Sequence, residues 1–339
     1  MNVNTKKMNA EQLRELLPGV VILHNTDLQT RDEWVGERTR SIGASDVAAM
    51  LGVSPWCTEL ELAQKKRGHL LTGQTRAMER GTQMEPLIRA WAEEDSGCNI
   101  YAVPYLLQNP RVPVLTANLD GIGIAGDGRP FVVELKDSTY GQDVYEHIAQ
   151  HGVPPQESVG TAPYQYWLQV QSQLAITGCE FALFGVADGS RLSVYWWTPH
   201  AETQALIEER AAAWWDRHIE RGIDPAATGS DIALLRSMCP PNEEGEVVDL
   251  TDHKEAMEAM FAYEEQRSAR LALEKEVKAI KDKENDARAR IEQLMGDAPV
   301  AVLGMREATR KTSERKGYTV EPSVTTRFST RKAKPGRHA

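Results

Sequence analysis

The chain has 339 residues, of which 41% are hydrophobic and 26% charged. That is enough apolar mass for a sizeable core, which excludes a wholly disordered chain, and at roughly 150 residues per domain the length points to about two domains. The formal net charge of −10 excludes a protein that grips nucleic acid with its whole surface, but not one that binds phosphates in a single cleft.

No run approaches ~18 consecutive apolar residues, so no membrane-spanning helix is expected. The opening residues lack the basic, apolar and small-residue pattern of a secretory signal, so the expected location is the cytoplasm. Cys57, Cys98, Cys179 and Cys239 lie far apart, which fits reduced thiols rather than disulfides or a zinc site. Charge is unevenly spread: residues 306–339 hold ten Lys/Arg against three Asp/Glu. Such an end suits nucleic acid or an acidic partner, or stands as a solvated tail.

A short helix over 10–17 and an apolar strand over 20–23 open the chain. Small and apolar residues at helical spacing follow over 45–51, with Ser45 or Asp46 as N-cap. Lys65, Lys66, Arg67, Gly68 and His69 read as a basic connector. Met78, Leu87, Ile88 and Trp91 predict a helix over 75–94, in which Pro86 fits only near the start or as a kink. A strand over 112–117 ends in Asn118, Leu119, Asp120 and Gly121. Gly126, Asp127 and Gly128 turn the chain into a returning strand over 129–136. Residues 137–163, with Gly152, Pro154, Pro155, Gly160 and Pro163, read as an irregular loop. A helix over 164–177, a hairpin around Asp188-Gly189 and a helix over 202–219 complete this part.

The Pro/Gly-rich stretch at 225–250 reads as a linker between a first domain, 1–224, and an extension, 251–339. In the extension Leu273, Val277, Ile280, Ala287, Ile291 and Leu294 fit a heptad seam interrupted by Glu284. A coiled coil, a helical hairpin and a partner-docking helix all stay open. Strands over 300–305 and 318–328 would form a small basic module.

Alternation along Phe131-Val132-Val133-Glu134-Leu135-Lys136 puts Glu134 and Lys136 on one face of a strand and Val133 and Leu135 on the other. If the two strands pair around the Gly126–Gly128 turn, Asp120 comes near Glu134. Two carboxylates beside a backbone carbonyl make a hard oxygen site that suits Mg²⁺ or Mn²⁺. Lys136 next to them can position or deprotonate a water for attack on a phosphodiester. Glu85, on the helix before the strands, can close such a site. Tyr166, Gln169 and Gln173 share one face of a later helix, and polar groups that approach a sheet call for partners. Near the N-terminus, Arg38 and the helix start at Ser45 suit a phosphate.

These pieces occur in one order: W-x3-R-x3-IGASD from Trp34, G-x3-E-P around Glu85, Leu119-Asp120-Gly121, Glu134-Leu135-Lys136, and Y-x2-Q-V-Q from Tyr166. Together they resemble the YqaJ-like viral recombinase family, phage alkaline exonucleases similar to lambda exonuclease, over about residues 34–219. The resemblance implies an α/β (α+β) fold with a PD-(D/E)XK, restriction-endonuclease-like core: a mixed central sheet flanked by helices. It implies a Mg²⁺-dependent exonuclease, with one or two ions, that degrades one strand of linear double-stranded DNA from its 5′ end. The product would be a 3′ overhang for recombination by strand annealing.

Carried over, Asp120, Glu134, the Leu135 carbonyl and Glu85 look like the metal site, Lys136 like the group that activates water, and Gln169 with Tyr166 like its support. Arg38 and Ser45 match positions beside the 5′-phosphate, and Asn118 stands where the relative has a serine. The family also implies a homo-oligomeric ring, trimer or tetramer, threaded by duplex DNA; an acidic body and DNA binding are reconciled if Lys65, Lys66, Arg67, Arg76 and Arg80 line its inner surface. A single-strand annealing protein would be a partner, and the setting a phage or prophage in a bacterial host.

Other readings of these residues are an endonuclease of the same fold and a catalytically silent DNA-binding scaffold. An iron–sulfur nuclease would need clustered cysteines. A silent scaffold should lose its acids first, yet Glu85, Asp120, Glu134 and Lys136 are all present.

Overall fold

The computed structural model describes residues 6–70, 73, 75–139, 141–189, 191–240, 247–303 and 305–311, without the side chains of residues 31, 32, 34 and 35. It divides into two units, Met1–Pro241 and Asn242–Ala339. In the first, Asn9 caps helix α1 (Ala10–Leu16) in a reciprocal box with Gln12, and strand β1 (Val21–Asn25) follows. Thr30 and Glu33 start α2 (Arg31–Arg38) in the same way. The two-residue strand β2 (Ile42–Gly43) leads through a 3-10 turn into α3 (Val47–Met50), whose four residues are all buried. Helix α4 (Glu59–Lys66) takes in Lys65 and Lys66, expected in a connector, because Thr58 caps it and Leu60, Leu62 and Ala63 bury its inner face. Helix α5 (Arg76–Ser96) contains Pro86 near its middle. A proline there removes one intrahelical hydrogen bond; packing of Ile88 and Ala92 against the sheet holds the helix together across it.

Strands β3 (Asn99–Gln108), β4 (Leu115–Ile124) and β5 (Pro130–Asp137) come next. The expected loop at 137–163 contains a helix, α6 (Gln142–His151), between Gly141 and Gly152, both at positive φ. Val144, Tyr145 and Ile148 give it one apolar face, a pattern hidden by the surrounding glycines and prolines. Helix α7 (Ala162–Thr177), the hairpin β6 (Ala182–Ala187) and β7 (Leu192–Trp197), and α8 (Ala201–Trp215) match the expected elements. The stretch expected as a linker holds α9 (Ile232–Met238). Thr228 and Asp231 cap one another, and the Thr58 hydroxyl donates to the Asp231 carboxylate, which ties this stretch back to α4.

In the second unit α10 (Lys254–Met295) is one unbroken helix of 42 residues, which overturns the helical hairpin. None of its residues is buried, and Leu273, Val277 and Ile280 are exposed. Strands β8 (Val300–Leu303) and β9 (Arg306–Thr309) pair antiparallel. The expected strand at 318–328 and the basic residues Arg327, Arg331, Lys332 and Lys334 lie outside the described residues.

Among the described residues of the first unit, seven strands form one sheet in the order β1-β3-β4-β5-β6-β7, with β2 also pairing β4. The pairs β2–β4 and β5–β6 are parallel and the rest antiparallel. This is the expected mixed central sheet flanked by helices. On one face Val132, Phe184 and Trp197 pack with Trp167, Val170 and Leu174 of α7; on the other Phe131, Val133 and Leu135 pack with Ile88 and Ala92 of α5. Fully burying side chains of this size stabilises a fold by roughly 1.5–3 kcal/mol each. Gly123 sits opposite Phe131, and a Cβ there would lie 2.0 Å from the ring.

Candidate active site

The site begins as a break in hydrogen bonding along one edge of β4. Residues Leu115 and Thr116 pair β2, residues Gly121 to Ile124 pair β5, and residues 117–120 have neither strand beside them. On the other edge Asp120 and Gly121 together stand opposite Ala102 of β3, so β4 is bulged at that point. A bulge re-aims side chains and often lies beside a functional site. Asp120 therefore does not end its strand, as the sequence suggested; it sits in mid-strand at the bulge. Gly121 is required for close approach, since a Cβ would come 2.9 Å from the Tyr101 carbonyl.

The Asp120 side chain replaces the missing ladder by accepting the Leu135 N–H on Oδ2 at 2.7 Å. Alternation along β5 turns the Leu135 carbonyl toward the same side, beyond the last pair Gly121–Val133. The Asp120 carbonyl accepts two bonds from Arg89 of α5, at 3.1 and 2.7 Å. Arg89 also pairs with Glu85, one helical turn earlier.

Glu134 is fully buried on the α7 face. Gln169 donates to its Oε1 and Gln173 to its Oε2, each at 2.6 Å. Lys136 forms an ion pair with the same carboxylate and lies 5.1 Å from the centroid of the Tyr166 ring. The expected polar face of this helix is thus buried and satisfied by Glu134.

Asp120, Glu85 and Lys136 are perturbed by burial and by the charges around them. Burial, then the charges of Glu134 and Glu85, push the Asp120 carboxyl well above its usual range, against the pull of Lys136 and the Leu135 N–H. Burial also raises Glu85, against Arg89 and with a further contribution from Glu134. Burial works against a charged Lys136, but attraction from Glu134 and Asp120 outweighs it and raises the lysine. Lys136 is therefore a firmly held ammonium.

A cavity of about 540 Å³ opens from these groups, lined also by Arg38, Ser45, Asp46, Lys66 and Asn118. Asp46 links that far wall together. Its Oδ2 accepts the Gly43 N–H at 3.0 Å and Lys66 Nζ at 2.6 Å, and its Oδ1 accepts from Arg38 at 3.2 Å. Arg38 also reaches the Ser45 hydroxyl at 3.4 Å. Burial opposes the charge on Asp46, but Lys66 and Arg38 overcome it and bring the carboxyl down to about 2. Burial pulls Lys66 down.

The structure brings Glu85, Asp120, Glu134, Lys136, Gln169, Arg38, Ser45, Asn118 and Lys66 to this one cavity, with Tyr166 against Lys136. It does not bring the other cations there. Arg67 donates to the His218 carbonyl at 2.9 and 2.6 Å and pairs with Asp224 at 2.5 Å, so it joins α4 to the chain after α8. Lys65 pairs with Glu61 at 2.7 Å, Arg80 pairs with Asp137 at 2.8 Å, and Arg76 lies exposed at the start of α5. Lys66 is buried rather than displayed. Sequence reasoning missed Arg89 and the part played by Asp46. The signal for Arg89 was its one-turn spacing from Glu85; Asp46 read only as a cap.

Among the described residues no three His, Cys, Asp or Glu side chains form a metal cluster by themselves. Mg²⁺ does not require one, because it takes one or two carboxylates and keeps several waters. Asp120, Glu134, the Leu135 carbonyl and Glu85 are all oxygen donors, and the crowding that raises Asp120 is what a cation would relieve, so the residues fit. Among the described residues no helix is long and apolar enough to cross a membrane.

Residues 33–180 match the model of the YqaJ-like viral recombinase domain. The chain is 26% identical over 324 residues to the uncharacterized protein YqaJ of Bacillus subtilis, covering 93% of this chain and 90% of that protein. Among solved structures it is similar to an alkaline exonuclease, LHK-Exo, from Laribacter hongkongensis, with 22% identity, 54% and 90% coverage and a TM-score of 0.41. It is also similar to the shutoff and exonuclease protein of Kaposi's sarcoma-associated herpesvirus, with 12% identity, 62% and 74% coverage and a TM-score of 0.34. Arg38, Ser45, Glu85, Asp120, Glu134, Lys136 and Gln169 all fall within the span, residues 33–180, that matches this family model.

Proposed function

We propose that the chain is a metal-dependent exodeoxyribonuclease that removes nucleotides from the 5′ ends of linear double-stranded DNA and leaves 3′ overhangs for recombination by strand annealing. The observation that carries this reading is the break in the ladder along β4, where Asp120, bonded to the Leu135 N–H, joins the Glu134–Lys136 pair in lining an open cavity. One or two Mg²⁺ or Mn²⁺ ions, held by Asp120, Glu134, the Leu135 carbonyl and Glu85, would lower the pKa of water and offset charge on the phosphodiester.

The chain's own groups do the rest. Lys136, held as an ammonium, hydrogen-bonds the incoming water and stabilises negative charge building on the phosphate. The water oxygen bonds to phosphorus and gives up its proton to solvent, the bond to the 3′ oxygen breaks, and that oxygen takes a proton from solvent. Gln169 and Gln173 hold Glu134 in place, and Arg89 holds Asp120 and Glu85. Arg38 and Ser45, on the far wall, receive the 5′-phosphate. Assembly into a ring around duplex DNA, with a single-strand annealing protein as partner, would suit a phage or prophage enzyme in a bacterial cytoplasm. Its inner cations would have to be others than Lys66 and Arg67, which are engaged within the chain.

The test is a linear duplex labelled at one 5′ end beside the same DNA as a closed circle, with Mg²⁺ and with chelator, for wild type and Lys136→Ala. The expected result is loss of the linear strand from its 5′ end only, abolished by chelator and by the substitution. Cutting of the circle would make the chain an endonuclease. No turnover of either DNA by wild type would leave a binding scaffold.

A further inference from the structure

A second cavity, of about 120 Å³, adjoins the first and shares Arg38, Ser45, Asp46 and Lys66 with it. Trp56 and Gln165 form part of its remaining wall. Pockets that hold a whole small molecule run to ~300–1,000 Å³. This one suits a single flat group of a ligand whose remainder lies in the larger cavity.

Trp56 is 57% exposed, and the loop that carries it is firmly held. Ser54 accepts the N–H of Trp56 at 3.2 Å and of Cys57 at 3.3 Å, and donates to Gln165 of α7 at 2.6 Å. The indole meets the Tyr166 ring with centroids 5.8 Å apart, and Tyr166 in turn lies against Lys136. The two rings therefore connect the catalytic lysine to the rim of the second cavity. A scattered surface aromatic needs no explanation. One whose loop is bonded to α7, and whose ring leads from Tyr166 beside Lys136 to a cavity that Arg38 also lines, is placed to do something.

Resting on the nuclease reading, we propose that Trp56 is the stacking platform for the nucleobase of the nucleotide being removed, turned out of the duplex into the second cavity. That nucleotide's two phosphates would lie on either side of it, one at Arg38 and Ser45, the other at Lys136. Every base has a π-face, so an indole platform accepts all four without reading sequence. This is what an enzyme that degrades any DNA requires.

The test is a coupling experiment between the ring and the base. Single-turnover release of the 5′-terminal nucleotide is followed for wild type, Trp56→Phe and Trp56→Ala. The substrates are linear duplexes whose terminal nucleotide carries a base or is abasic. Wild type is expected to release the base-bearing nucleotide faster than the abasic one by about fivefold to about a hundredfold, the span of one base–aromatic stack. Trp56→Phe should keep that ratio and Trp56→Ala should bring it close to one. Because the indole is largely exposed, the urea midpoint should not move. An active Trp56→Ala with the wild-type ratio would overturn the inference and leave the nuclease reading standing. Wild type inactive on both substrates would remove both.

Discussion

Gln173 donates its amide N–H to Oε2 of Glu134 at 2.6 Å, while the buried oxygen of the same amide has no partner among the described residues. The carboxylate thus dictates how the amide is turned, and the amide in turn fixes the carboxylate. Replacing Gln173 by Leu strands one buried carboxylate oxygen, which costs about 1–3 kcal/mol. Urea denaturation should show a loss of that size. Glu134→Gln, which removes the charge and keeps the shape, should fold and yet lose about a hundredfold or more in nuclease rate. A Glu134→Gln protein as active as wild type would remove Glu134 from the site.

Asp46 supplies a dependence of stability on pH. Its carboxyl falls from 3.8 to about 2 on folding, which at 1.36 kcal/mol per pH unit is worth about 2 kcal/mol. The folded value is the depressed one, so the contribution is full above the unfolded value near 3.8 and is lost as pH falls toward 2. Wild type should exceed Asp46→Asn in stability by about 2 kcal/mol at neutral pH, with the gap closing below about pH 4. Urea titrations of both proteins at several pH values check this; a gap that does not close in acid would contradict it.

Arg38 and Ser45 line the same cavity as Lys136 and are joined through Asp46, which also holds Lys66. If they receive the 5′-phosphate, wild type should degrade 5′-phosphorylated ends faster than 5′-hydroxyl ends by about tenfold to a hundredfold, the worth of hydrogen bonds to a charged group. Arg38→Ala should abolish the preference while leaving 5′-hydroxyl ends nearly as fast as before. Equal rates on both ends in wild type would assign this wall another task.

Gly123 should tolerate nothing larger. A Cβ would meet the buried Phe131 ring at 2.0 Å, and overpacking of a core costs typically ~1–3 kcal/mol. Gly123→Ala should lower the melting temperature, and Phe131→Leu, destabilising alone, should recover part of that loss in the double variant. Additive losses would mean that the two positions do not share space.

Much of the site was legible because its parts are local patterns. Alternation sets Glu134 and Lys136 on one face, and helical spacing sets Gln169 and Gln173 on another. Their meeting needed only a turn at Gly126–Gly128 and a helix that returns to the sheet. The break that assembles them was not legible. It depends on Ile42 and Gly43 pairing β4 from a distant part of the chain, and two residues that read as the approach to a helix give no strand signal of their own. For the same reason the Asp120 carbonyl was not legible as the acceptor for Arg89: a carbonyl becomes a site only once the ladder on that edge is known to stop. Lys66 and Arg67 looked like a basic surface because a sequence shows charge but not the Asp46 and Asp224 that neutralise it. Helix α6 was lost among glycines and prolines. In α10 the heptad residues foretold a helix, while its single continuous run had no sequence marker.

The hydrogen bond from the Leu135 amide to the Asp120 carboxylate has a use beyond holding the strands. An amide in a central strand is usually protected from exchange by a neighbouring carbonyl, which has no chemistry of its own. Here the acceptor is an ionisable side chain, so the exchange rate and chemical shift of one backbone proton should follow the state of Asp120. Protonation of the carboxylate, its capture by a cation or its replacement by asparagine would each be read at Leu135 by NMR, with no substrate present and no turnover needed.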